Sequence, residues 1–390
     1  MNTSTYQSTR TLSFAVLSLS MLAVMAVTAL APALGRIQDS FPHATQLQLQ
    51  MLLNFPALFI IPFSLLSGQL SLRFKKRHIL FAGLIIFSIS GVASAFVTSF
   101  SVFLVLRAFL GLGLGLVTPL SFSLIADLFT GDTRARLMGW SSAVATLSAI
   151  GMSLLSGWLA IYNWRYALGA YGLGILVILM VYFYLPEPDS TSNEPVRQAK
   201  LPVLVYAVVL FTMFSIVIFN LISNQMAFYL KSTNLGDSAE SGIALASYQG
   251  AQFFVALIFD KIYRYFKNNT AIFGLAISVI GFMILFSSNS FWMIVVAVFI
   301  TGLGIGMLVP FNALTISNQV GSDLSGWALS LNTSALFAGQ FISPFLFSVI
   351  NSLFNFSSIR FYFLSAAVMC AGVALIMVFA KTIRRKQLSN

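Results

Sequence analysis

The chain has 390 residues, 58% of them hydrophobic and only 8% charged, with 38 Phe and a mean hydropathy of +0.91. No water-soluble globular protein is that apolar, and long apolar runs recur from end to end, so the class is a polytopic membrane protein. The net charge of +11 is not a nucleic-acid footprint, because the cations gather in the short loops between the apolar runs.

The apolar runs predict an all-α protein of twelve spanning helices. In chain order these are Leu12–Leu34, Leu49–Leu70, Ile79–Val97, Val102–Leu124, Leu137–Ala160 and Tyr166–Leu185, then Leu201–Met226, Gly242–Ile262, Ala271–Phe286, Phe291–Leu314, Trp327–Ile350 and Phe361–Ala380. At about 1.5 Å rise per residue each can cross a hydrocarbon core of about 30 Å. The strict alternation of a spanning β-barrel is nowhere present. The first run is too long, and too like its successors, for a cleaved signal peptide.

With both termini placed in the cytoplasm, Arg10, Arg73, Lys75, Lys76, Arg77, Arg134, Arg136, Arg197, Lys200, Lys261, Arg264, Lys267, Lys381, Arg384, Arg385 and Lys386 fall inside, 16 of the 21 Lys and Arg. Arg36, Arg165, Lys231 and Arg360 fall outside, which is the asymmetry that sets topology. The sole cysteine, Cys370, lies in an apolar run, so no intrachain disulfide forms.

The stretch "EPDSTSNEPVRQAK" from Glu187 to Lys200 is polar and rich in Pro and Ser, and it divides the chain. The expected domains are a six-helix bundle over 1–186, a linker over 187–200 and a second six-helix bundle over 201–390. The halves repeat: "LGLGLGLVTP" (Leu110–Pro119) returns 191 positions later as "TGLGIGMLVP" (Thr301–Pro310). "GQLSLRFKKR" (Gly68–Arg77) returns as "DKIYRYFKNN", and "GWSSAVATLSA" as "GWALSLNTSAL". Duplicated halves are a transporter's plan, in which one half rocks against the other around a midplane site. Within the first echo, Gly111, Gly113, Gly115 and Pro119, with Gly302, Gly306 and Pro310, read as small-residue helix packing. They are not a phosphate loop, since no strand precedes them.

These motifs resemble the major facilitator superfamily over essentially the whole chain. The loop between spans two and three matches its signature at Gly68, Leu70, Arg73, Lys76, Arg77 and Leu80, and departs from it at Leu72, where the family has an acid, and at Lys75, where it has a glycine. Arg107, Gly111 and Gly113 match the span-four signature of proton-coupled members, and Asp127, Arg134, Arg136 and Gly139 match the following loop. The drug/proton antiporter subgroup is the nearest match. The resemblance implies that the loop cations form a gating latch with Asp127, the partner being Arg73 or Arg77, with Gly68, Arg134 and Arg136 in the same device. It also implies that spans one, four, seven and ten line the pathway.

Arg107 is the only ionisable residue well inside a span, about 9 Å along the helix from Ser101. Such a charge is costly in a membrane and marks a functional site. All ten acids lie at membrane faces or in loops, so Arg107 has no acidic companion within the membrane. A lone guanidinium favours carboxylate, phosphate or strong acceptor groups, which points to neutral or anionic amphipathic cargo. The polar amides of apolar spans, Asn54, Asn220, Asn224, Gln225, Gln249, Gln252, Asn312, Asn332 and Gln340, serve as substrate contacts or as interhelical links.

The expected function is a secondary-active transporter in the cell membrane, a proton-linked exporter of small amphipathic molecules. The alternatives are a carrier of an anionic metabolite or chelator and a non-transporting receptor. No enzyme motif or cofactor loop appears; His43 and His78 are too isolated for a metal site, and a monomer is expected.

Overall fold

A computed structural model describes residues 3–71, 73–185, 201–320, 322–355 and 358–389, and every regular element among them is a helix. Eleven helices are long and apolar enough to span a membrane, and a bent pair, Leu12–Leu22 with Val24–Ser40, makes the twelfth. The other spans run Gln46–Leu70, Lys76–Ala93, Phe100–Leu128, Gly131–Tyr162 and Trp164–Tyr184, then Val203–Ser232, Ser238–Phe266, Thr270–Ser287, Phe291–Gln319, Ser322–Phe354 and Arg360–Ser389. The linker expected over 187–200 lies outside the described residues. Contacts separate two compact units, Met1–Pro195 and Val196–Asn390.

Two spans open on a capping box. Span two starts with a capping box, in which Gln48 N–H donates to Thr45 Oγ1 (3.2 Å) and Thr45 N–H to Gln48 Oε1 (2.8 Å). Span eight starts with the same device built from Asp237 and Glu240, so these two acids serve a helix N-terminus. The two boxes are 192 positions apart in the chain.

Span one departs from the continuous helix expected. Its helix ends at Thr28, passes through a 3-10 turn at Ala31–Ala33 and resumes at Leu34–Ser40, and the axes of residues 12–22 and 24–40 differ by 43°. Pro32 is a physical cause of the interruption between Thr28 and Leu34, though not of the bend between Leu22 and Val24: it has no N–H for the Thr28 carbonyl, and its ring crowds that position. Side chains of neighbouring spans occupy carbonyls freed nearby. Ser156 Oγ donates to Ala29 O (2.7 Å) and Tyr171 Oη to Ala26 O (3.1 Å).

The glycine echo packs both units alike. Gly111 sits against the Pro56 backbone of span two, and Gly115 against Ile60 and Phe63. Gly113 turns to span three, where a Cβ would stand 2.6 Å from Gly83 O and 2.7 Å from Phe87 N. In the second unit Gly302 faces Tyr248, Gly306 faces Gln252 and Val255, and Gly304 faces Gly274 and Ser278. The repeat thus keeps both the glycines and the surfaces they touch, and close backbone approach is its cause. Pro119 and Pro310 lie inside the helices that carry these glycines.

Candidate functional site

In the first unit, span four places Arg107 between two aromatic rings. The side chain is 0% exposed, and its guanidinium carbon lies 5.1 Å from the ring centres of both Phe103 and Tyr171. Its Nη1 donates to Tyr171 Oη (2.8 Å), which in turn donates to Ala26 O beside the span-one break. Nε and Nη2 make no hydrogen bond among the described residues. Among the described residues the cation is therefore held by two rings and one hydroxyl, with no carboxylate, and the three N–H groups of Nε and Nη2 stay unmet. A buried charge in that condition is under-satisfied.

Tyr171 is not among the residues that the sequence marks for this site. It is fully buried, meets Phe87 edge-on (5.7 Å between centroids) and fills the space over Gly91. A tyrosine in an apolar run reads as packing, and no sequence signal separates the two roles.

At one end of the same unit Asp127 closes on the loop between spans two and three. Lys76 Nζ lies 2.6 Å from Asp127 Oδ2 and 2.8 Å from Ser123 Oγ, with the paired side chains 24% and 18% exposed. The partner is thus Lys76, a correction to the expected Arg73 or Arg77. Span three begins at Lys76, so its first turn aims that side chain at the end of span four. Arg77 instead donates to Tyr182 O (2.6 Å) and lies over the rings of Phe81 and Tyr182. Arg73, Arg134 and Arg136 are exposed and form no ion pair among the described residues, and Gly68 has open space at its Cβ position.

In the second unit the amides chiefly tie helices together. Asn220 Nδ2 donates to Gln340 O (3.3 Å), and Asn224 Nδ2 to Ser343 Oγ (3.4 Å), which itself donates to Val217 O (2.7 Å). These bonds join spans seven and eleven. Asn312 Nδ2 donates to Thr212 Oγ1 (3.0 Å), joining spans ten and seven. Gln252 reaches Tyr248 O of its own helix, and Asn54 likewise reaches Gln50 O. Gln225 is buried in span seven and Gln249 lies partly buried in span eight. Asn312 Oδ1 and Asn332 Oδ1 are buried acceptors without a hydrogen bond among the described residues. Among those residues no group of three or more His, Cys, Asp or Glu could hold a metal ion.

The sequence matches the Major Facilitator Superfamily over residues 14–344 and 207–390. The chain belongs to that superfamily. It is 28% identical over 334 residues to quinolone resistance protein NorA of Staphylococcus aureus, covering 82% of this chain and 84% of that protein. A shorter match of 170 residues at 26% identity, 43% of this chain and 36% of the other, is to an arabinose-proton symporter of Escherichia coli. The fold is similar to an inward-facing, occupied bacterial homologue of the human lysosomal transporter Spinster, at TM-score 0.77 and 17% identity, covering 95% and 96% of the two chains. It is also similar to the inward-open xylose transporter XylE of E. coli, at TM-score 0.73 and 17% identity, covering 93% and 94%. The protein is a multi-span membrane transporter.

Proposed function

We propose that this transporter is a proton-linked exporter of small amphipathic molecules, working by alternating access with both termini in the cytoplasm. Arg107 carries the proposal: a guanidinium enclosed within the membrane-spanning part, without a carboxylate partner and with Nε and Nη2 unmet. Such a group attracts a carboxylate, phosphate or carbonyl oxygen and repels a cation, which favours neutral or anionic cargo. Arg107 is fully enclosed in this conformation, so its exposure belongs to another state of the transport cycle. The Lys76–Asp127 pair acts as the latch: it costs free energy to break, and so biases the equilibrium between states.

Similarity to a quinolone resistance protein supports export, and similarity to an arabinose-proton symporter supports proton coupling. The topology rests on the cation asymmetry of the loops. A carrier of an anionic metabolite is the second reading, favoured by the same unpaired guanidinium.

Inside-out vesicles with a respiration-generated acid interior, read by a quenched dye, test the proposal. Neutral or anionic amphipathic compounds are expected to dequench the dye in the parent protein and not in Arg107→Ala. Equilibration of labelled solutes with no dequenching would overturn proton coupling, and a response confined to cations would overturn the cargo assignment.

A further inference from the structure

Two membrane-facing grooves of the first unit meet at Ala93 and Phe96, and neither belongs to the site around Arg107. The first, of about 540 Å³, lies between one face of span three, Ile85 to Phe96, and Ile175 and Ile178 of span six. Its one polar lining residue, Ser88, has its hydroxyl against Gly174 of span six, so the wall is effectively hydrocarbon. The second, of about 450 Å³, leaves the same fork at Ala93 and Phe96 and runs down Val102 and Leu106 of span four. Thr98 and Ser99, both exposed, form its rim.

Length, charge and forking together define the occupant. Ile85 and Phe96 are eleven positions apart, about 16 Å at helical rise, which matches one leaflet of a hydrocarbon core about 30 Å thick. The fork is at the interfacial end of that leaflet, where span three gives way to the turn before span four. Arg165 stands at that end. Its Nη1 donates to Ala95 O (3.2 Å) and Val97 O (3.2 Å), and its Nη2 to Val97 O (3.0 Å), while the ring of Trp164 lies 4.6 Å from the guanidinium carbon. These bonds use three of the five guanidinium N–H groups, leaving Nε–H and one Nη2–H for an anion at the membrane surface.

We infer that the spans three, four and six surface is a phospholipid site, with one acyl chain in each groove astride Phe96 and the phosphate on Arg165. Thr98 and Ser99 add hydroxyl donors beside the headgroup. A lipid held there braces the end of span three against spans four and six.

Photo-crosslinking tests the site. Full-length protein is reconstituted in vesicles of phosphatidylethanolamine and phosphatidylglycerol, a fraction of the latter carrying a diazirine at mid-chain. Label is expected to concentrate in peptides covering 85–96 and 98–106 relative to other exposed apolar positions such as Ile280 and Trp292. Ala93→Phe, which fills the fork, is expected to reduce that label about tenfold. Ile89→Trp on the exposed wall reads the same outcome if Ala93→Phe does not fold. Arg165→Gln is expected to reduce labelling by phosphatidylglycerol but not by a diazirine-bearing diacylglycerol, which has no phosphate. Label spread in proportion to exposed apolar area, or unchanged by both groove substitutions, would mean ordinary annular lipid and would overturn the site.

Discussion

Replacing Asp127 with Asn should loosen the link between the start of span three and the end of span four. The pair is 2.6 Å long, and its side chains are 24% and 18% exposed, so it is neither a solvent-screened surface pair nor a sealed one. Exposed pairs contribute about 0–1 kcal/mol, and breaking a buried pair costs about 3–5 kcal/mol. An intermediate figure of about 2 kcal/mol is therefore expected, since the introduced amide would keep a hydrogen bond to Ser123 but lose the Coulomb attraction. That corresponds to an increase of about 30-fold in the population of the locally opened state. Hydrogen–deuterium exchange reads it: amides of 73–79 and 123–130 should exchange about 30-fold faster, with the rest of the first unit unchanged. Lys76→Met should reproduce the effect, and the charge swap Lys76→Asp with Asp127→Lys should restore most of the protection. Arg77→Gln should leave it alone. Unchanged exchange in Asp127→Asn, or an Arg77→Gln effect as large as that of Lys76→Met, would refute the assignment of Lys76 as the partner that holds Asp127.

Three further outcomes follow from the geometry. Gly113→Ala drives a methyl into the Gly83 carbonyl and the Phe87 backbone and should destabilise the protein by about 1–3 kcal/mol in thermal unfolding, whereas Gly139→Ala, with open space at its Cβ, should not. Tyr171→Phe keeps the ring over Arg107 but removes its only hydrogen-bond acceptor among the described residues; a bond to a charged group contributes about 1.5–3 kcal/mol, so thermal stability should fall, and transport should fall more than in Phe87→Leu. Thr212→Val removes the acceptor of Asn312 Nδ2, leaving both polar atoms of that amide unmet, and should cost about 1–3 kcal/mol; Thr212→Ser, which keeps a hydroxyl, should be nearly silent.

The repeat and the spans were legible because their causes are local. Apolar runs define helices, and a glycine every second residue marks a surface where backbones touch; the spacing of the echo carries from Gly111 and Gly113 to Gly302 and Gly304 together with the residues they contact. The break in span one was equally open to inspection in Pro32, whose missing N–H interrupts the helix, although the apolar run alone read as continuous. The partner of Asp127 was not legible. Arg73, Lys75, Lys76 and Arg77 offer the same charge within five positions, and only the helix start at Lys76 selects the one that meets Asp127. Tyr171 lay beyond pattern altogether, since its hydroxyl meets Arg107 and Ala26 across 64 and 145 positions of the chain. The amides fell between the two cases. Their residue types announced polar work inside the membrane, but the bonds of Asn220 and Asn224 to span eleven came from tertiary packing.

The central claim is that Arg107 selects cargo by its unmet donors. Equilibrium binding of a matched amphipathic series, one carboxylate, one neutral ester and one amine on the same apolar body, tests it on purified full-length protein. The account predicts that Arg107→Ala weakens the carboxylate at least about tenfold, the ester less and the amine not at all, as expected for a lost charge-assisted hydrogen bond. Equal losses across the three compounds, or none, would contradict it.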